Sequence, residues 1–260
     1  MESTLSMTAQ SATGQDPRSN RRLAWQQCYN TRDLGGLPTR DGRETRWKAV
    51  IRSDILNRLT DAGQQALLEY GVKTVIDLRS HAEVAKEPIV LIGSHERDLD
   101  YLNLPIEKYY PHVSALISQA KSRSEVYCII LDRYPDAIVE VMRAIAQAQP
   151  GGIVIHCHAG QDRTGIVSAL LLSVVGVPME IVSADYAESQ ECLWPLYERT
   201  LAEARDTGDK GFWATPTATE ERMNEMLEHI ETRYGGAEKY LLVSGLLPEE
   251  IAQLKSRLRC

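Results

Sequence analysis

The stretch from Ile153 to Leu171, IVIHCHAGQDRTGIVSALL, places Cys157 and Arg163 six positions apart between two apolar runs. Cysteine offers a nucleophilic sulfur, and arginine offers a planar fork of donors that matches two oxygens of a phosphate. If the first run is a strand ending at Cys157 and the second a helix starting near Arg163, the loop HAGQD lies at the helix's amino end. Backbone N–H groups converge there on one point, an environment that holds a tetrahedral anion and favours a thiolate. The loop residues His158, Ala159, Gly160, Gln161 and Asp162 are the expected backbone donors. Gly160 lets the loop turn tightly and approach the anion, and Thr164 can donate its hydroxyl to the sulfur. Nucleophile, amide nest and clamp are what cleavage of a phosphate ester through a phosphocysteine requires.

Such a hydrolysis also needs a proton for the leaving oxygen and a base for water. Asp162 is the nearest carboxyl, and it either serves as that acid or braces the loop through hydrogen bonds. Asp77, in VIDLRS, is the second candidate, because strand ends converge on the site in open α/β sheets; its other reading is as a partner of Arg79 or of backbone amides. Asp54, in IRSDIL, ranks below both. His156 is expected to tune the loop by a hydrogen bond. Because His156, Cys157 and His158 are consecutive, they would face different sides of a strand end, and the trio does not read as a metal site. With no nucleophile-elbow serine and no Walker-type loop in the sequence, ATP, metal and other cofactors are not implied.

These residues need elements to hold them. LTDAGQQALLEYGV reads as a helix capped by Thr60 and stopped at Gly71, and VKTVIDLRS, YLNLPI and GGIVIHC read as strands. YPDAIVEVMRAIAQAQ, TGIVSALLLSVVG, MEIVSADYAES, TEERMNEMLEHIETRYGG and PEEIAQLKSRLR read as helices, the last opening on acids and closing on bases. Strands interleaved with helices predict an α/β fold with a mostly parallel central sheet flanked by helices.

Composition narrows the setting. The 260 residues are 43% hydrophobic and 25% charged with a formal net charge of -7, which disfavours nucleic acid as a partner. The basic run Arg40, Arg43, Arg46, Lys48, Arg52 contains Asp41 and Glu44 and reads as the solvated face of a hairpin. Five scattered cysteines argue against a disulfide framework and for a reducing, cytoplasmic compartment. Residues 1–20 read as a disordered tail ahead of one catalytic domain over 21–260, and no apolar run is long enough to insert into a membrane.

HCHAGQDRTG closely resembles the signature loop of cysteine-based protein tyrosine phosphatases, in particular the bacterial branch that acts on phosphotyrosine and, in some members, on phosphoinositides. NTRDLGGLPTRDGRETRWKAVIRSDIL is similar to that branch's N-terminal hairpin and first strand, GVKTVIDLRSHAEV to its second, and YGGAEKYLLVSGLLPEEIAQLKSRL to its C-terminal end. The resemblance implies the compact phosphatase fold with a possible helical lid, Cys157 as nucleophile, Arg163 as phosphate clamp, and a phosphotyrosine protein or small phosphomonoester as substrate. Two departures stand out. The branch commonly has lysine where this chain has Gln161, and the only Trp-Pro pair, in LWPLY, is no counterpart of the tryptophan-proline-aspartate loop of larger relatives. A neutral Gln161 at the loop rim would favour phosphotyrosine over polyphosphoinositides. A rhodanese-type sulfurtransferase has no need of the arginine followed by Thr-Gly, and an inactive phosphate-binding module would have lost a nucleophile or clamp that this chain keeps.

Overall fold

The computed structural model describes residues 21–89, 99–107, 110–207 and 217–260; the expected N-terminal tail lies outside the described residues. Five strands form one sheet: β1 (Arg32–Asp33), β2 (Val50–Ser53), β3 (Val72–Asp77), β4 (Asp100–Asn103) and β5 (Gly152–His156). Their order is β1-β2-β5-β3-β4, with β1 antiparallel to β2 and every other neighbouring pair parallel.

Side chains alternate faces along a strand, and the core divides accordingly. Val50, Ile76, Ile153 and Ile155 enter the larger core cluster, whereas Ile51, Val75 and Val154 enter the smaller one with Trp25, Leu56 and Leu67. Both faces of β2, β3 and β5 are therefore covered, which is why these strands read as apolar runs. The edge strand β4 is largely exposed.

Helix α1 (Asp61–Glu69) has the expected cap, the Thr60 hydroxyl accepting the Gly63 N–H at 3.2 Å. The short α2 (His81–Lys86) opens on a capping box in which Ser80 and Glu83 hold each other's backbone N–H. Helices α3 (Pro111–Gln119), α4 (Arg123–Arg133), α5 (Pro135–Gln147) and α6 (Asp162–Val174) follow. Of these, α2, α3 and α4 have no counterpart in the sequence reading. Their caps, such as Ser122 accepting from Glu125, sit before short apolar sets rather than long periodic ones. The helix expected from MEIVSADYAES is the start of α7 (Met179–Thr207), which continues through Pro195. LWPLY is thus helical, with Pro195 inside the helix. Helices α8 (Glu220–Tyr234), α9 (Ala237–Val243) and α10 (Pro248–Leu258) complete the chain, with Met223, Met226, Leu227 and Ile230 of α8 buried as one face. Among the described residues no helix is long and apolar enough to cross a membrane.

Candidate active site

The loop between β5 and α6 starts at Cys157, directly after the last strand residue, and ends at Asp162, the first helical one. Cys157 is 2% exposed. Each carbonyl from Cys157 to Gln161 is within hydrogen-bonding distance of another group. Cys157 O lies 3.0 Å from His156 Nδ1, and His158 O accepts from the Ile55 N–H at 3.0 Å. Ala159 O accepts from Asn30 Nδ2 at 2.9 Å, Gly160 O from Arg52 Nη2 at 2.8 Å, and Gln161 O from the Gly165 N–H at 2.9 Å. The N–H groups of Ala159, Gly160 and Gln161 have no acceptor among the described residues. A peptide whose carbonyl is held outward turns the following N–H the other way, because the peptide unit is planar and trans. The loop thus presents unpaired donors at the positive end of α6, the condition for an anion nest.

Gly160 has φ +65, and a Cβ there would collide with the backbone of Ser53. The sequence reading gave this glycine a close approach to the anion; the structure adds a close approach to the carboxyl end of β2. Ala159 packs with Leu193, Leu196 and Tyr197, so α7 lies against the loop.

Arg163 Nη1 and Nη2 donate to Glu83 Oε2 and Oε1 at 2.7 and 2.8 Å. This end-on grip uses two of the five guanidinium N–H donors and leaves the Nε edge for two oxygens of a ligand. Burial alone would raise the Glu83 carboxyl, but the Arg163 hydrogen bonds and charge outweigh it and hold Glu83 at about 2. Arg163 is correspondingly raised: burial opposes its charge, and Glu83 more than compensates. A cavity of about 240 Å3 opens here, lined by Glu83, Lys86, Glu87, His158 and Arg163. His158 Nε2 stands 3.6 Å from Glu87 Oε2.

The acid candidates separate. Asp162 accepts from the Tyr127 hydroxyl, lies 3.9 Å from Arg123 Nε, and keeps its side chain 25% exposed. Tyr127 in turn lies 2.7 Å from the Tyr186 hydroxyl. Asp77 is fully buried and accepts from Arg79 Nε and Nη2, at 3.0 and 2.7 Å, and from the Tyr101 hydroxyl at 2.9 Å, so the structure gives it the bracing role. Asp54 is buried beside the loop, accepting from the N–H groups of Tyr29 and Asn30, and burial pushes it up to about 6. His156 is buried, its Nε2 3.7 Å from Asp77, and burial pushes its pKa down. The Thr164 hydroxyl is buried with no hydrogen-bond partner among the described residues, which leaves its proton free for a ligand in the loop.

Two expectations are corrected. Gln161 is 7% exposed, a buried position rather than one at the rim. Arg52 is not on a solvated face: it is fully buried, with Nη1 on Asp185 Oδ2 at 2.6 Å. Asp185 also receives Arg21 and Arg32, at 2.8 and 3.1 Å, and Arg32 Nη1 donates to Asn30 Oδ1 at 2.5 Å. The two side chains that tether the loop carbonyls, Asn30 and Arg52, therefore run back to one aspartate of α7. The sequence reading missed Asn30, Glu83, Tyr127 and Asp185. A signal for the arginines gathered on Asp185 existed in AVIRSDIL, where a lone arginine inside an apolar strand needs a buried partner.

The family model of the tyrosine phosphatase family matches residues 23–260. The chain is 33% identical over 223 residues to the tyrosine-protein phosphatase of Nostoc commune, covering 81% of this chain and 74% of that one. It is 30% identical to the triple specificity protein phosphatase PtpB of Mycobacterium tuberculosis, covering 66% and 70% of the two chains. Among solved structures, the crystal structure of P. aeruginosa TpbA aligns with a TM-score of 0.36 at 17% identity, over 75% of this chain and 85% of that one.

Proposed function

Because the chain belongs to the tyrosine phosphatase family, we propose that it hydrolyses phosphotyrosine in proteins, with Cys157 as nucleophile and Arg163 as phosphate clamp. The carrying observation is that each carbonyl from Cys157 to Gln161 lies within hydrogen-bonding distance of another group, while the N–H groups of Ala159, Gly160 and Gln161 have no acceptor among the described residues. In the first step Cys157 Sγ forms a bond to phosphorus as the ester P–O bond breaks. Asp162 gives its proton to the leaving oxygen, and Arg163 with the loop amides takes up the charge spreading over the phosphoryl oxygens. In the second step water attacks phosphorus, Asp162 takes the water's proton, and the S–P bond breaks with the Thr164 hydroxyl beside the departing thiolate. His158 to Asp162 contribute backbone donors, and His156 and Asp77 brace the loop from below. One catalytic domain over residues 21–260 carries this chemistry.

Phosphoinositides are the second reading, and the mouth bears against it. Gln161 is buried, and the cavity beside the loop is lined by Glu83 and Glu87 along with Lys86 and Arg163, so extra phosphates would meet two carboxylates. The five cysteines are all free, which fits a cytoplasmic setting.

Metal-free turnover of p-nitrophenyl phosphate and of a phosphotyrosine peptide tests the reading, with thiosulfate-to-cyanide sulfur transfer as the control. Cys157→Ser is expected to bring turnover to background while phosphate binding survives, because the amide nest is untouched and a hydroxyl is a poor nucleophile at neutral pH. Substantial turnover by that variant would refute the phosphocysteine route.

A further inference from the structure

Strands β2 and β5 run parallel, so their amino ends lie at the side of the sheet away from the loop. A second cavity of about 460 Å3 opens there, lined by Arg46, Trp47, Lys48 and Arg257 above the strand starts at Ala49 and Gly151. That volume is in the range of small-ligand sites. Among the described residues no acidic side chain lines it, in a chain whose net charge is -7. The stem of Lys73 lies against Gly151, which brings a further cationic side chain close to the cavity.

The charges here are held without being matched. Arg257 donates to the carbonyls of Ala148 and Gln149, capping the end of α5, while its buried Nε–H has no acceptor among the described residues. Burial and the like charge of Arg46 push the Arg257 guanidinium down from its usual pKa. Lys48 holds its ammonium 5.0 Å from the centre of the Tyr70 ring. Its backbone has φ 61, a left-handed conformation uncommon outside glycine, fixed by its N–H donating to Asp33 Oδ2 at 2.8 Å. A lysine kept where glycine would be easier is an outlier of the kind that accompanies a used side chain. Trp47 is 42% exposed, and its indole rests so closely on Gly36 that any Cβ there would strike it, leaving a fixed flat surface at the rim.

Two other members of the basic run are already engaged: Arg43 pairs with Asp41, and Arg52 is buried against Asp185. We propose that Arg46, Lys48 and Arg257, with the face of Trp47, form a second anion site for a small molecule that joins two or more phosphates to a flat ring, the chemistry of a nucleoside diphosphate. Two guanidinium groups and an ammonium match more than one phosphate, and an indole stacks on a base of any identity. The site is separated from the loop by the four-residue strand β2, about 13 Å at the usual rise per residue.

Calorimetric titration of ADP, pyrophosphate and adenosine into the full chain tests the site. Arg163→Met is used as the host, so that the loop cannot supply the clamp. One equivalent of ADP is expected to bind this host, pyrophosphate at least about tenfold more weakly for want of the ring, and adenosine not at all. Adding Arg46→Gln and Lys48→Gln, both at exposed positions, should weaken ADP by at least about tenfold. In the otherwise native chain the same pair should leave p-nitrophenyl phosphate turnover within about twofold. Absence of ADP binding to the Arg163→Met host, or ADP affinity unchanged by the paired substitution, would overturn the site. Pyrophosphate binding as tightly as ADP would overturn the ring.

Discussion

The wall behind the loop and the mouth in front of it are both built from arginine–carboxylate pairs, but they differ in burial. On the wall, Arg21, Arg32 and Arg52 converge on Asp185, with side chains at most 3% exposed. At the mouth, Arg163 is 13% exposed and its partner Glu83 37%. A buried ion pair that loses one partner strands a charge in low dielectric, whereas a partly exposed pair can still reach water and loses less. The wall can therefore fix a geometry permanently, and the mouth can adjust to an arriving phosphate. The two are joined through the loop itself, since Arg52 and Asn30 hold the carbonyls that turn its amides toward the ligand. The crowding on the wall has its own cost: burial and the neighbouring Arg32 push Arg52 down to about 10, still protonated at neutral pH.

The largest effect is expected from Asp185→Asn, which keeps the shape and removes the charge that three guanidinium groups share. Unfolding in urea should show a loss of about 3–5 kcal/mol, the usual result of breaking a buried pair. Turnover should fall as well, because Arg52 is no longer anchored. A loss below about 1 kcal/mol would erase the distinction between wall and mouth.

Arg163→Lys should give the opposite profile. One lost donor at the developing charge lowers kcat by about 10²–10³-fold, while stability changes by less than about 1 kcal/mol, as for other partly exposed pairs. A variant that unfolds easily yet turns over normally would make Arg163 a structural cap and move the clamp elsewhere.

Asp162→Asn sharpens the mouth further. The amide oxygen can still accept from Tyr127, so the loop should hold, but no proton is available for the leaving oxygen. Turnover of phosphotyrosine is expected to drop by about 10²-fold, the low end for a lost general acid, with p-nitrophenyl phosphate much less affected. Equal losses across a leaving-group series would give Asp162 the bracing role alone.

The same contrast explains what could be read from the sequence. The proposed nucleophile and clamp and the strand–loop–helix frame lie close together in the chain, so local pattern pointed to Cys157, Gly160 and Arg163 and to three of the four parallel strands. The wall depends on Arg21, Arg32, Arg52 and Asp185, which come together only after the sheet and α7 have packed. A basic run with interspersed acids has the same composition whether it is solvated or buried, and Arg52 was misassigned for that reason. Gln161 failed differently: whether a loop residue is exposed depends on what packs over it in space, and Gln161 is 7% exposed. Asn30 and Glu83 sit in unremarkable contexts, and only the fold brings them to the loop.

Glu83→Gln is expected to have the smallest effect and to test whether the mouth pair positions rather than reacts. Glu83 holds the Nη edge of Arg163 and so aims the Nε edge at the ligand, without touching the phosphate itself. Glutamine can accept one of the two hydrogen bonds, so kcat should fall only several-fold. KM should stay level or decrease, since a negative charge beside the incoming dianion has been removed. The pH dependence carries a separate signature. Glu83 is held at about 2, below the ordinary glutamate value of 4.5, so its stabilising contribution is complete above 4.5 and is lost as pH falls toward 2. The stability gap between the native chain and Glu83→Gln should therefore be largest near neutrality, below about 1 kcal/mol because the pair is partly exposed, and close on acidification through that window. A gap that widened at low pH, or a loss in kcat as deep as that of Arg163→Lys, would show that Glu83 takes part in the chemistry and does more than orient its partner.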